Sequence, residues 1–246
     1  MSHVPPRKRH PYDQWSPDAR ALDLVGDKWT LLIVRDLAAG PRRFVELQRV
    51  LPGISTEQLR SRLNRMVADG MLTRQRYREV PPRVDYELTD RARDLLPILG
   101  ALARWGYEWA WGPPRASESV DIGAILRLAP GLIFPKSVAT ATAQLTILDG
   151  RGDEPVSYVL TISPEQVAIE ERAPDLADAG QLAIDEPPPD LADTRVAGST
   201  AAWVRAFSPG GDRGGLEISG DRKLAEVLLA ALGAGSVTLA SATAAA

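Results

Sequence analysis

The apolar residues of segment 27–88 recur with periods that predict three short helices followed by two strands. Asp27 can cap the first helix, and Gly40-Pro41 ends it. The second helix precedes a tight turn expected at Pro52-Gly53. The apolar positions of these two helices are Trp29, Leu32, Ile33 and Leu37, and then Phe44, Leu47 and Leu51. Each set lies on one helical face and is expected to be buried.

The third helix begins at Ser55, with Gln58 at the spacing of a capping box, and ends at Gly70. It is expected to bury Leu59, Leu63, Met66 and Val67. Two strands follow at residues 72–78 and 84–88, joined by a turn at 79–82. Three helices followed by such a hairpin are typical of a winged helix-turn-helix.

Arginines mark the outer surfaces of this segment. Arg74, Arg76 and Arg78 recur at a period of two, so they project from one face of the hairpin, and Arg83 follows the turn. Like charges at this density favour a polyanionic partner, although a solvated basic surface is the alternative. Gln58 is ambiguous because the cap can occupy its side chain. The residues predicted to contact DNA are Arg43, Ser55, Thr56, Gln58, Arg60, Ser61, Arg62, Arg65, Arg74, Arg76, Arg78 and Arg83.

The net charge of −3 conceals two halves of opposite charge. Residues 41–93 carry 12 arginines against 7 acidic residues, whereas residues 121–246 carry 9 basic against 17 acidic residues. The chain has 246 residues, enough for two domains. The predicted organisation is a flexible basic tail (1–14), a winged helix-turn-helix domain (15–111), a linker (112–120), a second domain (121–233) and a low-complexity tail (234–246).

Composition narrows the classes of function. There is no cysteine, and the two histidines, His3 and His10, lie in the basic tail, which excludes thiol chemistry and argues against a histidine-based metal or catalytic site. The acidic residues have no accompanying nucleophile or phosphate loop, so we expect no enzyme activity and no cofactor. No apolar run reaches the ~18 residues of a membrane span and no signal peptide is evident, so we expect a cytoplasmic protein without a membrane partner.

Several motifs resemble those of the HxlR-type bacterial transcriptional regulators. They are Ala19 to Ile33, Gly40 to Leu47, Leu51 to Ser55, Pro81 to Thr89, and Trp105-Gly106. The resemblance covers about residues 17–111 and implies a MarR-like winged helix-turn-helix, a homodimer and a palindromic operator in double-stranded DNA. It also implies that residues 55–67 form the recognition helix and residues 74–83 the wing. Many members of the family sense oxidants with a cysteine before the first helix, but residues 14–17 here contain none.

Residues 90–111 are predicted to form one long helix that ends in an excess of aromatic residues. Trp105, Tyr107, Trp109 and Trp111 make up this excess. Such a surface favours a partner subunit, or else it covers the junction with the second domain. Both arrangements can hold at once.

The pattern of the second half predicts an α/β or α+β domain, most simply an α/β one, which makes the whole chain α+β. Strands are expected at residues 144–148, 156–162, 167–171, 195–197 and 215–219, helices at 124–128, 200–207 and 222–232, and a loop at 185–190. The segments Val196 to Trp203 and Gly215 to Asp221 are similar to the sterol-carrier-protein-like domain. That resemblance implies an apolar tunnel for a small apolar ligand. The candidate lining residues are Phe134, Leu145, Val159, Trp203 and Phe207, each of which could equally be ordinary core.

These expectations favour a homodimeric transcriptional regulator whose second domain senses a small apolar ligand. One alternative is a carrier for lipids or other hydrophobic ligands with a basic docking domain. Another is a structural nucleic-acid-binding protein with a vestigial second domain. Sequence-specific, salt-dependent DNA binding distinguishes the regulator from the carrier. Release of DNA by a ligand distinguishes it from the structural protein.

Overall fold

The computed structural model describes residues 11–78, 83–136, 140–172, 192–234 and 237–240. They form two compact units that divide between Leu96 and Pro97. The predicted linker at 112–120 lies within the second unit. The elements of the first unit are α1 (Pro17–Val25), α2 (Thr30–Leu37), β1 (Arg42–Arg43), α3 (Phe44–Val50), α4 (Thr56–Ala68), β2 (Leu72–Tyr77), β3 (Arg83–Leu88) and α5 (Asp90–Arg93).

The predicted three helices and hairpin correspond to α2, α3, α4, β2 and β3. Ile33, Leu47 and Leu63, one from each of these helices, are all fully buried. The turn between α3 and α4 is made as expected, because Gly53 adopts a φ of +84° and the Ile54 amide donates to the Leu51 carbonyl at 3.3 Å. The antiparallel sheet has the order β1-β3-β2. The predicted turn at 79–82 lies outside the described residues.

One helix of this unit was not predicted. Ser16 caps α1 by accepting a hydrogen bond from the Ala19 amide at 3.4 Å, and Pro17 occupies the first helical turn. This sequence, a serine followed by proline and Asp18, is itself typical of a helix start. The helix was missed because Ala19 is the one residue of α1 that is fully buried, so its apolar period is weak.

Residues 90–111 do not form the single predicted helix. Helix α5 ends at Arg93, and a second helix, α6 (Leu96–Trp109), begins after a short break. Pro97 explains the break, because it lacks the N–H that a continuous helix would donate to the carbonyl of Arg93. All of α6 beyond Leu96 belongs to the second unit.

The second unit also contains α7 (Ile122–Leu126), α8 (Ala129–Leu132), β4 (Ile133–Lys136), β5 (Ala141–Arg151), β6 (Glu154–Ile162), β7 (Val167–Arg172), β8 (Thr194–Gly198), α9 (Thr200–Phe207), β9 (Glu217–Gly220), α10 (Arg222–Ala234) and β10 (Val237–Ala240). Five strands form one sheet of order β7-β6-β5-β8-β9, in which β5 and β8 are parallel and the other pairs antiparallel. Of the two architectures expected for this half, the mostly antiparallel sheet with helices corresponds to α+β, and its strands and helices lie close to the predicted positions.

The five-stranded sheet has one face packed against helices. Alternate residues of β5, including Ala143 and Leu145, are buried there, and Tyr158 and Leu160 of β6 lie beside them. Helices α8, α9 and α10 contact β7, β5 and β8 respectively. Trp203 of α9 is fully buried and donates its indole N–H to the Thr146 carbonyl at 3.0 Å. This layer of helices on one sheet face forms the core of the unit.

Two strands of this unit were not predicted. Strand β10 runs parallel to β4 and pairs Val237 with Ile133. Residues 237–240 had been assigned to the low-complexity tail, which the structure corrects. Their pairing joins segments far apart in sequence, so local composition could not reveal it. The loop predicted at 185–190 lies outside the described residues.

A buried arginine lies at the edge of the helical layer. Arg127 is fully buried, donates to the hydroxyl of Tyr158 at 2.8 Å, and pairs with Asp121 at 2.5 Å and Glu171 at 3.5 Å. Tyr158 in turn donates to Glu171 at 2.9 Å. Burial raises the pKa of Tyr158, so its hydroxyl stays protonated and available as a donor. The two carboxylates compensate the buried charge, so this cluster is structural.

Helix α6 packs closely against α8 at the point where Gly100 faces Gly131. A Cβ added to Gly100 would lie 1.8 Å from the carbonyl oxygen of Gly131, so no larger residue fits without movement of the helix. Gly106, on the same helix, has no neighbouring atom within 4 Å of such a Cβ. These two glycines provide a matched comparison.

We predict opposite effects of alanine at these two positions. Gly100→Ala should lower the free energy of unfolding by about 1–3 kcal/mol because the added methyl group overpacks the contact with Gly131. Gly106→Ala should raise it by about 0.5–1 kcal/mol because alanine is the better helix former. Urea denaturation followed by circular dichroism measures both. Equal effects of the two substitutions would contradict this close packing of α6.

Candidate nucleic-acid interface

The carboxylate of Asp27 joins α2 to α4. Its Oδ1 accepts hydrogen bonds from the backbone amides of Trp29 at 2.9 Å and Thr30 at 3.1 Å, and its Oδ2 accepts one from the Thr30 hydroxyl. The same carboxylate forms an ion pair with Arg62 of α4 at 2.9 Å. The predicted hydrogen bonds of Asp27 at the start of α2 are therefore present, and the same carboxylate also holds α4.

The start of α4 is a reciprocal cap. The Ser55 hydroxyl accepts from the Gln58 amide at 3.2 Å, and the Gln58 side chain accepts from the Ser55 amide at 3.1 Å. The Thr56 hydroxyl accepts from the Gln48 side chain at 2.7 Å. All three predicted contact residues are exposed, but their side chains are already engaged within the protein. Any contact with DNA here must share or replace these bonds.

Beyond this cap, α4 presents a polar outer face. Arg60 and Ser61 are exposed and Arg65 is half-buried, while Leu59 and Leu63 fill the core behind them. Arg60 lies over the ring of Phe44, with 6.0 Å between the guanidinium carbon and the ring centroid. Arg60, Ser61 and Arg65 are therefore the residues of this helix that are best placed to meet a groove.

Arg62 has a different environment from Arg60. Its side chain is 22% exposed because it turns toward Asp27. The sequence predicted the same role for the two arginines, because the partner of Arg62 lies 35 residues earlier, in the turn before α2. The interaction makes Arg62 a positioning residue for α4, alongside its predicted contact with DNA.

The hairpin carries its arginines on two faces. Arg74 and Arg76 pair with Tyr86 and Val84 of β3, so they share one face of β2, and Arg78 follows the end of that strand; all three are exposed. Arg83 pairs with Tyr77, so it lies on the other face. The period-two row predicted from the sequence is present for Arg74 and Arg76, and Arg83 is not part of it.

Arg83 and Arg43 meet a buried carboxylate. The guanidinium of Arg83 contacts both oxygens of Asp85, at 3.0 and 2.8 Å from Nε, and its Nη2 lies 2.6 Å from Oδ2. Arg43 lies 3.9 Å from the same carboxylate, which is 2% exposed. Arg83 also lies over the Tyr77 ring at 5.2 Å. Much of the charge of Arg83 is therefore compensated within the protein.

A second buried carboxylate lies behind the hairpin. Asp36 is fully buried and pairs with Arg35 at 3.0 Å, while the Arg42 Nε donates to the Asp36 carbonyl at 2.7 Å. Arg42 is 5% exposed and belongs to β1, so it contributes to the scaffold and not to the basic surface. Arg42 contributes to the basic excess of residues 41–93, but its burial could not be predicted from that charge count.

The five candidate lining residues of the second unit do not surround one cavity. Leu145 faces the helices, whereas Val159 pairs with Gln144 and therefore lies on the opposite face of the sheet. Leu145, Trp203 and Phe207 are at most 2% exposed, whereas Phe134 is 43% exposed. The prediction of a common lining is wrong for Val159, because strand pairing sets the face of each residue.

Among the residues that the structure describes, no three histidine, cysteine or acidic side chains are grouped so that they could hold a metal ion. Within the same residues, no helix is long and apolar enough to span a membrane.

Comparison with known proteins concerns the first part of the chain. A family profile described as HxlR-like helix-turn-helix matches residues 24–112. An uncharacterized HTH-type transcriptional regulator of Halalkalibacterium halodurans is 45% identical over 39% of this chain and 85% of its own. One of a Synechocystis strain is 41% identical over 38% of this chain and 69% of its own. A solved structure of a MarR-family transcriptional regulator from Porphyromonas gingivalis is 36% identical over 39% of this chain and 95% of its own, with a TM-score of 0.38.

We predict that replacing Asp27 by alanine lowers the free energy of unfolding more than replacing its partner Arg62 does. Asp27→Ala removes the ion pair and the helix cap together, so we expect it to lower the free energy of unfolding of the first unit by about 1–3 kcal/mol. Arg62→Ala removes the ion pair alone and should cost about 1 kcal/mol or less, because both side chains are partly exposed to solvent. Chemical denaturation of the two single variants and the double variant measures both terms.

The double variant is the control for this comparison. If the ion pair forms, the cost of Arg62→Ala should disappear in the Asp27→Ala background. An unchanged cost in that background would show that the two side chains act independently.

Proposed function

Because the chain belongs to the family of HxlR-like helix-turn-helix transcriptional regulators, we propose that it binds a palindromic operator as a homodimer. Members of this family bind DNA and are not enzymes, so the chain is a DNA-binding transcriptional regulator. In the proposed complex, α4 enters the major groove and the wing formed by β2 and β3 lies along the phosphate backbone. The two α4 helices of the dimer would meet half-sites about 34 Å apart.

The observation that carries this proposal is the separation of the arginines into engaged and outward-facing groups. Arg62 and Arg83 are held by Asp27 and Asp85. The exposed row of Arg74, Arg76 and Arg78 has no acidic residue facing it from β3 among the described pairs of the hairpin. Such a row of like charges repels itself in the free protein, and phosphates would relieve that repulsion.

An apolar stripe on α6 supports the homodimer. Ile98, Leu102, Trp105 and Trp109 are between 52% and 68% exposed, at spacings of four, three and four residues. These spacings place them along one side of the helix, as in the seam of a helix pair. Charged residues are missing from this stripe, and a second copy of the same helix would complement it. Isologous pairing of this kind produces the two-fold symmetry that a palindrome requires.

Tyr107 of α6, and Trp111 just after its end, form hydrogen bonds with other elements of the second unit. The Tyr107 hydroxyl donates to the Leu232 carbonyl at 2.5 Å, and the Trp111 indole N–H donates to the Phe207 carbonyl at 2.8 Å. The sequence left open whether the aromatic excess meets a partner or covers the second domain. The division of these side chains favours both, with different residues for each.

The second unit would bind a small ligand and change the affinity for DNA. A single five-stranded sheet with helices on one face supports the proposed similarity to the sterol-carrier-protein-like domain. The ligand would regulate by favouring one placement of the two α4 helices relative to each other. By linkage, it must then bind the free and operator-bound protein with different affinities.

Selection from random DNA tests the operator and the dimer together. The wild-type protein should enrich an inverted repeat and sediment as a dimer. Leu102→Glu should yield a monomer, because it places a charge in the apolar stripe, and its affinity for the full repeat should fall at least tenfold.

Val120→Glu is the matched control, because Val120 is 45% exposed but lies outside the stripe. It should leave both the dimer and the selected site unchanged. A wild-type monomer, or enrichment of a site without an inverted repeat, would contradict the proposed assembly.

We predict that the two faces of the wing contribute unequally to DNA binding. Arg76→Ala should lower the slope of log K against log salt concentration by roughly one unit, because one phosphate contact is lost. Arg83→Ala should change it by less, since Asp85 already compensates that charge. Titrations of the selected operator at several salt concentrations measure both slopes.

Arg115→Ala provides the control for overall charge, because Arg115 lies outside the wing and its side chain is 78% exposed. Its slope should match that of the wild-type protein. If Arg76→Ala also left the slope unchanged, the exposed row would not contact phosphates.

A further inference from the structure

An open cleft in the second unit lies against the C-terminal half of α6. Its volume is about 850 Å³, within the usual range of small-molecule sites. The α6 side is lined by Arg104, Trp105, Tyr107, Glu108 and Trp111. The opposite side is formed by the end of α9, the loop 208–213 and Gly233 of α10. We call this the α6 cleft. It is separate from the buried interior between the sheet and the helices.

The α6 cleft has an aromatic wall formed by Tyr107 and Trp111, whose polar groups are already hydrogen-bonded within the protein. The hydroxyl of Tyr107 donates to Leu232, and the indole N–H of Trp111 donates to Phe207. Their two rings pack edge to face with centroids 5.2 Å apart. Burial raises the pKa of Tyr107 to about 12, so the hydroxyl remains a neutral donor at physiological pH. What this wall offers a ligand is therefore mainly the apolar surface of two aromatic rings set at 70° to each other.

The facing loop contains two consecutive glycines, Gly210 and Gly211. Gly210 has a φ of +82°, and a Cβ on Gly211 would lie 2.5 Å from the Ala206 carbonyl oxygen. The Gly211 amide donates to the Ser208 carbonyl at 2.9 Å, which closes a turn. Without side chains at these positions, a flat molecule can approach the loop closely.

The charge at the cleft is mainly positive. Arg213 is half-buried at its rim, and no hydrogen bond or ion pair to its guanidinium is found among the described residues. Arg104 is engaged, since it donates to the Gly131 carbonyl at 3.3 Å and lies over the Phe134 ring at 5.3 Å. Glu108 is the acidic residue of the lining and is exposed. A partly desolvated guanidinium beside an aromatic wall favours an anion that carries a ring.

We propose that the α6 cleft binds a planar aromatic carboxylate, with its ring against Trp105, Tyr107 and Trp111 and its carboxylate on Arg213. This inference deepens the proposed ligand-sensing function, on which its regulatory meaning rests, and places the site in a cleft that includes only Phe207 of the five residues first considered. A long-chain lipid suits the cleft less well, because an alkyl chain makes no use of Arg213.

Trp105 connects this site to the proposed dimer. It lines the α6 cleft and also belongs to the exposed stripe of α6. A ligand ring that stacks on the cleft side of the Trp105 indole restricts the rotamers of Trp105, and these rotamers set the surface that Trp105 contributes to the stripe. A ligand in the cleft therefore affects how two α6 helices pair, and this gives a physical route from ligand to DNA affinity.

The test titrates the full-length protein with 2-naphthoate and follows tryptophan fluorescence and calorimetric heat. We expect saturable binding, and binding of the uncharged 2-naphthamide at least about tenfold weaker because it forms no ion pair with Arg213. Arg213→Gln should weaken naphthoate binding by a similar factor and leave naphthamide binding unchanged. Arg115→Gln is the control and should bind both probes as the wild-type protein does. Circular dichroism verifies that each variant is folded.

Three outcomes would overturn the assignment of this site: no binding of naphthoate, equal binding of the two probes, or binding unaffected by Arg213→Gln. Saturable binding of oleate that is independent of Arg213, with no binding of naphthoate, would replace the aromatic acid with a lipid. Repeating the titration with operator present separates the two proposals. Naphthoate that binds through Arg213 without changing operator affinity supports the site and contradicts ligand sensing. If the protein binds no operator either with or without naphthoate, the DNA-binding proposal is contradicted and the assignment of the ligand site is not.

Discussion

The geometry of the DNA-binding unit depends on the carboxylate of Asp27. One oxygen accepts the first amides of α2, and the other forms the ion pair with Arg62 on α4. Ile33 and Leu63 are buried in the core of this unit, and the ion pair adds a directional contact between α4 and the turn before α2. In the proposed complex, the face that α4 turns to DNA is therefore positioned by a contact at the start of α2 as well as by apolar packing.

Other arginines of the first unit are also paired with carboxylates. An excess of arginine would be destabilising if every guanidinium faced solvent beside its neighbours. Three carboxylates reduce this cost, because Asp27, Asp36 and Asp85 each engage an arginine. Among the arginines predicted to contact DNA, Arg60 of α4 and Arg74 and Arg76 on one face of β2 stay exposed, where a phosphate backbone would meet them in the proposed complex. Internal pairing thus lowers the repulsion elsewhere in the unit and leaves this exposed positive charge for a polyanion.

The sequence predicted those features that depend on neighbours along the chain. The reciprocal cap of Ser55 and Gln58 and the Pro52-Gly53 turn were predicted because their causes lie within a few residues. Arg62 was given the same role as Arg60 because its partner, Asp27, lies 35 residues away and is brought close by the tertiary structure. The pairing of Arg83 with Asp85, two residues further along the same strand, is local, and the pattern of arginines alone did not reveal it. Val159 was assigned to the wrong face for a related reason. Its orientation depends on the register between β5 and β6, and a shift of one residue reverses it.

Helix α6 was the least predictable element, and its ambiguity has a physical basis. A helix that is apolar on more than one side can bury only part of that surface within its own unit. Tyr107 and Trp111 are satisfied by backbone carbonyls of the second unit, whereas Leu102 and Trp109 remain exposed. Trp105 lies between the two sets. A single helix with one satisfied face, one exposed face and a shared residue between them can couple a ligand to a subunit interface without any large movement of either unit.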